Sequence, residues 1–317
     1  MTAAAAELLG AQDWVTDGGL ETDLLFNKGV DLPHFAAFPL VDDAAGRALL
    51  ESYYAEYATI ASTVDAGLLL ETPTWRANPD WGRRVGYDSA ALDAVNRRAL
   101  GVVRTIAERA EVARVLLSGN VGPRGDGYVA GGTDPDEAAG YHSGQVRAFA
   151  EAGADLVHAM TMTGPAEALG VVRAARDAGI PVAISFTVET DGRLPDGTAL
   201  GDAIAILDGD APADWYGVNC AHPTHLQPAL AQPPGHSPWT ARVAAFRPNA
   251  STLSHAELDE MTGLDTGDLR LLTSSTGLVR RELPALRVLG GCCGTDASHV
   301  AALWGAGRAG SGERPMS

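Results

Sequence analysis

Eight times along the chain a short apolar, strand-forming run is followed by a longer stretch, and this alternation restricts the fold more than any other feature. Repeated βα units bury their strands in a parallel sheet with helices packed on it. The strand candidates are Trp14–Asp17, Leu68–Thr72, Val115–Asn120, Asp155–Thr161, Val182–Thr187, Trp215–Asn219, Val243–Arg247 and Arg287–Gly290. Helical patterns between them include Ala44–Val64, Ser89–Ala110, Asp136–Ala152, Pro165–Ala178 and Asp296–Ala306. Asp134-Pro135-Asp136-Glu137 has the acidic first turn of a helix entry, and Ala178-Gly179-Ile180-Pro181 has the signature of an exit. Eight such units predict an α/β fold, a single (β/α)8 TIM barrel over residues 1–317 with a flexible tail from about 306; an open doubly wound sheet is the alternative. In a barrel, chemistry collects at the C-terminal ends of the strands. That rule brings Asp17, Thr72, Asn120, Asn219, Cys220, Cys292 and Cys293 to one rim.

The three cysteines of the chain fall in Gly217-Val218-Asn219-Cys220 and Gly290-Gly291-Cys292-Cys293-Gly294-Thr295. A single free cysteine is usually a small buried apolar residue. Two neighbours among glycines, joined by a third at another strand end, read instead as metal ligands. Thiolates favour zinc, and three protein ligands leave the fourth tetrahedral position open, as chemistry requires. A disulfide is disfavoured by the odd count and by the geometry of adjacent cysteines. Cys220, Cys292 and Cys293 are therefore the candidate Zn2+ ligands and the catalytic centre. His222 and His225, just beyond Cys220, are read as loop histidines because the thiolates already complete the set.

With these motifs in place the chain, from about Trp14 to Trp304, resembles the zinc-dependent homocysteine S-methyltransferase family. Gly290-Gly291-Cys292-Cys293-Gly294-Thr295 and Val218-Asn219-Cys220 carry the resemblance most specifically. Asp17-Gly18-Gly19-Leu20, Val121-Gly122-Pro123 and Ser185-Phe186-Thr187 support it. The resemblance implies a barrel in which a thiol, most simply homocysteine, attacks the methyl group of a cationic donor: S-methylmethionine, S-adenosylmethionine or betaine. S-methylmethionine is the first expectation, since no cobalamin or folate module accompanies the barrel. By the same resemblance Asp17 and Gly18 help hold the amino acid substrate, and Thr72 and Thr74 stand near the same pocket. Trp75 takes the aromatic position, where its face would attract a cationic donor. Asn219 joins the substrate-binding set beside Cys220, with a simple strand-ending role as the other reading.

One position departs from the family. Its fourth strand usually offers a glutamate and a threonine to the substrate's amino group, and here the pair is Met160-Thr161. A buried ammonium needs an acceptor. Either a carboxylate elsewhere substitutes, with Glu21 and Glu71 standing where the family has neutral residues, or the acceptor is a different thiol. A noncatalytic zinc-binding barrel and a zinc hydrolase are further readings; the first would want a fourth protein ligand and the second imidazole or carboxylate ligands.

Composition removes other classes. A net charge of −17 disfavours nucleic acid and anionic membrane surfaces. Lys28 is the single lysine, so Schiff-base chemistry has almost no candidate. Ser118 and Ser185 lack evident His and Asp partners at a nucleophile elbow, which argues against a serine hydrolase. Gly119 to Gly127 lacks the spacing of a dinucleotide loop. No secretory signal or membrane span is evident, so a reducing cytoplasm is expected. The run Gln232–Ser237 is expected to be an exposed loop, and the oligomeric state is left open.

Overall fold

The computed structural model describes residues 2–231 and 238–306. The Gln232–Ser237 loop and the tail beyond 306 lie outside the described residues. Strands β1 (Trp14–Val15), β2 (Gly67–Glu71), β3 (Val115–Val121), β4 (Leu156–Met162), β5 (Val182–Phe186), β6 (Trp215–Asn219), β7 (Val243–Arg247) and β8 (Val288–Leu289) pair in sequence order, all parallel, and β8 returns to β1. The fold is thus a closed (β/α)8 barrel, not the open sheet. Strand bounds lie within two residues of those expected. Helices Leu200–Asp210, Pro223–Leu230 and Leu269–Glu282 complete the crossovers after β5, β6 and β7.

Strand alternation sorts the side chains into two cores. Outward residues such as Leu68 and Leu70 of β2, and Val157 and Ala159 of β4, pack beneath the surrounding helices. Inward residues Trp14, Leu69, Leu156, Ala183, Trp215, Ala245 and Val288 fill the lower barrel, where Leu9 of the N-terminal helix Ala3–Leu9 also packs. Trp14 fastens that helix by donating its indole N–H to the Leu9 carbonyl at 3.0 Å. One step up the same strands, the inward positions become polar: Glu71 above Leu69, His158 above Leu156 and Ser185 above Ala183. The apolar core therefore ends below the rim and leaves a polar floor.

Candidate active site

Two local devices present the thiols. Cys220 has φ +57° immediately after β6, in the left-handed region that non-glycine residues seldom occupy. Cys292 and Cys293 follow β8 in a tight turn whose Thr295 N–H donates to the Cys292 carbonyl at 3.0 Å. Gly294, at φ +79°, admits no side chain there, because a Cβ would stand 2.7 Å from the Asp265 carbonyl. The three Sγ atoms lie within 4.8 Å of one another, with Cys220 and Cys293 at 3.5 Å. Such proximity splits their acidities. Hydrogen bonding from Cys220 and then Cys293 draws the Cys292 thiol well below its usual range, while the same contacts raise the other two. Three convergent soft donors are a fitting set for a zinc-like cation.

The thiols open onto a cavity of about 390 Å³. Of the residues singled out in the sequence, Asp17, Gly18, Glu71, Thr72, Trp75, Asn219 and the three cysteines line it, together with Glu21 and Met160. Thr74 is not among the lining residues. It is fully buried, and its hydroxyl donates to the Asn120 carbonyl at 2.7 Å while meeting Thr72 Oγ1 at 2.7 Å. Thr72 Oγ1 accepts from the Asn120 N–H at 2.9 Å, so the two hydroxyls tie β2 to β3. Trp75 donates its indole N–H to the Met160 carbonyl at 3.3 Å. Its ring already has a cation beside it, the Arg76 guanidinium 5.0 Å from the centroid.

Asn219 does more than end its strand. Its Oδ1 accepts from the Thr161 N–H at 2.7 Å and its Nδ2 donates to Thr161 Oγ1 at 2.8 Å. Thr161 has φ +63° and stands where the β4–β5 register shifts between Ala159 and Met162. The amide clamps this irregular turn of the strand and brings Nδ2 within 3.8 Å of Cys292 Sγ. His222 bonds Thr224 and His225 bonds the Thr252 carbonyl; neither is among the lining residues.

Three features were not foreseen. Arg247, at the end of β7 and only 5% exposed, donates to Asp17 Oδ1 at 2.6 Å and to the Gly291 and Gly18 carbonyls, with Nη1 3.5 Å from Met160 Sδ. Burial raises the Asp17 carboxyl above its usual range, against the pull of Arg247. Tyr128 places its hydroxyl 3.2 Å from Cys220 Sγ, with its ring stacked on His255. Burial and then the Cys220 sulfur push its phenol well above the usual value. Ser185, finally, does have partners, contrary to the sequence reading. Its Oγ is 2.7 Å from His158 Nε2, and His158 Nδ1 is 2.7 Å from Glu71 Oε1. Ser185 is 1% exposed and absent from the cavity wall, so this chain of groups offers no nucleophile to a substrate.

A closed βα barrel with three convergent thiols above a cavity of buried charges defines an α/β-barrel enzyme with a thiol-ligand site at its C-terminal rim. The sequence profile of the homocysteine S-methyltransferase family matches residues 14–306, and the chain belongs to that family, a family of S-methyltransferases. It is 27% identical over 250 residues to a homocysteine S-methyltransferase of Escherichia coli K12, covering 73% of this chain and 77% of the relative. It is 25% identical over 194 residues to the homocysteine S-methyltransferase YbgG of Bacillus subtilis 168, covering 58% and 59%. The fold matches the homocysteine methyltransferase MmuM of E. coli in its oxidized form, with TM-score 0.75, 22% identity, and 95% and 99% of the two chains covered. The metallated form of MmuM matches with TM-score 0.72, 21% identity and the same coverage. Among the described residues, no helix is long and apolar enough to cross a membrane.

Proposed function

We propose that this chain is a single-domain, Zn2+-dependent methyltransferase of the cytoplasm that moves a methyl group from a cationic donor to homocysteine, giving methionine. The observation that carries the reading is the set of three Sγ atoms within 4.8 Å of one another on the wall of the cavity. A tetrahedral site with metal–sulfur bonds of about 2.3 Å spaces its sulfurs roughly 3.8 Å apart, close to the 3.5 Å between Cys220 and Cys293. Cys220, Cys292 and Cys293 would hold the ion, which when bound supplies a Lewis acid that favours thiolate over thiol in the acceptor.

The acceptor sulfur attacks the methyl carbon in line, forming the new S–C bond as the bond to the donor breaks, and the donor departs with the electron pair of that bond. Nothing at that carbon needs a general base, so the protein's task is alignment and exclusion of water. Asn219, fixed on Thr161, sets the Cys220 side of the cavity, and Trp75 forms an aromatic wall. Asp17, Gly18, Glu71 and Thr72 would meet the amino acid part of the acceptor. Among donors, S-methylmethionine is proposed first, because a cavity of about 390 Å³ suits two small molecules better than it suits a nucleoside sulfonium beside the acceptor.

The test is cobalt substitution followed by homocysteine titration. Thiolate-to-cobalt absorption that shifts with homocysteine, together with methionine formation from S-methylmethionine and loss of both in Cys220→Ser, is the expected outcome. Absence of thiolate bands, or equal activity after chelation, would overturn it.

A further inference from the structure

Among the described residues, Glu71 is the one carboxylate lining the cavity that is both buried and left with an open oxygen. It is 2% exposed, rises from β2 into the barrel interior, and lines the cavity. Its Oε1 accepts from His158, whose other ring nitrogen meets Ser185; Gly217 leaves the space for this, since a Cβ there would stand 2.3 Å from Ser185 Oγ. Its Oε2 has no hydrogen-bond partner. Ser118, which pairs with Glu71 in the β2–β3 register, likewise has a hydroxyl with no hydrogen-bond partner. Burial alone would raise the Glu71 pKa, but the charge and hydrogen bond of His158, with the charge of Arg247 assisting, bring it below the ordinary value. A buried, charged oxygen without a donor is costly, and the cost is relieved when a ligand brings N–H groups to it.

The neighbouring charges do not compete for that role. Asp17 is already taken by Arg247 at 2.6 Å and by the Tyr53 hydroxyl at 3.2 Å. Glu21 is only partly buried and, pushed up to about 7 by burial, is half neutral near neutral pH. At residue 160 a carboxylate would lie against Arg247 Nη1, now 3.5 Å from Met160 Sδ, and would be neutralised by it. Met160 stands one inward step above His158 on β4, so the Glu71–His158 pair reaches the same part of the floor from below.

We propose that Glu71, oriented by His158 and Ser185, receives the ammonium group of the methyl acceptor and so selects a thiol that carries a primary amine. The proposal rests on the methyltransferase reading above and specifies its acceptor subsite. A sulfonium or quaternary ammonium centre has no N–H of its own to offer Oε2, so the subsite takes a primary amine and not the centre that carries the transferred methyl. His158 is a positioning residue here: it touches the carboxylate, not the substrate.

The experiment measures equilibrium binding of methionine and of 4-(methylthio)butanoate, the same molecule without its amino group, to the zinc-loaded full chain and its variants. Neither probe has a thiol, so the comparison isolates the amine. The wild type is expected to prefer methionine by at least about 20-fold, from a charge-assisted hydrogen bond, and Glu71→Gln to reduce that preference below about 3-fold. His158→Ala should lose much of the preference and His158→Asn, which keeps an N–H toward Glu71, should restore it. If Glu71→Gln weakens both probes equally, or the wild type binds the amine-free acid as tightly as methionine, the proposal is overturned. Thermal melts identify a variant that fails to fold, in which case the His158 pair decides: equal preferences in Ala and Asn overturn the positioning role. Should the preference behave as expected while homocysteine is not methylated, the ammonium subsite stands and the methyltransferase reading falls.

Discussion

Glu21 lines the cavity near Asp17, and burial pushes its pKa up to about 7. Below that pH it is neutral and above it anionic, so a cationic donor should bind more tightly as pH rises from 6 to 8. The dependence, read as the KM of S-methylmethionine, should vanish in Glu21→Gln. Asn219 offers a stability test. Replacing it by alanine removes both bonds to Thr161 and leaves a buried N–H without its acceptor, with an expected loss of about 2 kcal/mol in urea denaturation. These residues differ in how legible they were. The cysteines declare themselves, because thiol chemistry and glycine neighbours are visible locally. Arg247 gave only a weak signal, a charged residue ending an apolar run, and such residues ordinarily face solvent. The Ser185–His158–Glu71 contacts gave none: His158 is separated from its partners by 27 and 87 positions, and only closure of the barrel brings them together.

Helices and strands were readable because their periodicities differ, and the termini because capping residues are chemically distinctive. The helix Ala297–Trp304, which follows the cysteine turn, illustrates what capping adds. Asp296 accepts from the Ser298 and His299 N–H groups, and His299 Nδ1 returns to Asp296 at 2.8 Å. The Asp296 hydrogen bond raises the His299 pKa above its ordinary 6.5, and His299 in turn lowers that of Asp296 below 3.8. A raised histidine stabilises the fold fully below the unfolded value and loses that contribution as pH climbs through the folded one; a lowered aspartate does so above 3.8 and loses it on acidification. The pair should therefore contribute most between roughly pH 4 and 6.5. Chemical denaturation of wild type and His299→Ala across pH 5 to 8.5 should show a stability gap that narrows as pH rises. Asp296→Ala should cost about 1 kcal/mol through the cap itself. What periodicity could not show was the irregularity in β4, where Thr161 adopts φ +63°, because that turn is held by Asn219 from another strand.

At the level of the whole barrel, the alternation of strands and helices fits a closed barrel and an open sheet alike, and closure depends on whether the first and last strands find each other. Here they meet over two residues each, Trp14 with Val288 and Val15 with Leu289. Arg247 reinforces that narrow seam by joining Asp17 and Gly18 after β1 to Gly291 after β8. Arg247→Met should cost about 3–5 kcal/mol, since it strands a buried Asp17, and Asp17→Asn in the same protein should recover part of the loss. A double-mutant cycle in denaturant measures both, and strictly additive losses would remove the coupling. The seam also has a temporal side. Synthesis proceeds from the N-terminus, so β1 must wait, its edge unpaired, until every other strand has been made. Two of the three thiols arrive with that last strand. Ring closure and assembly of the three-thiol cluster are therefore late and nearly simultaneous events in the life of each molecule, and a chain interrupted before Val288 would carry a lone Cys220 on an unfinished rim.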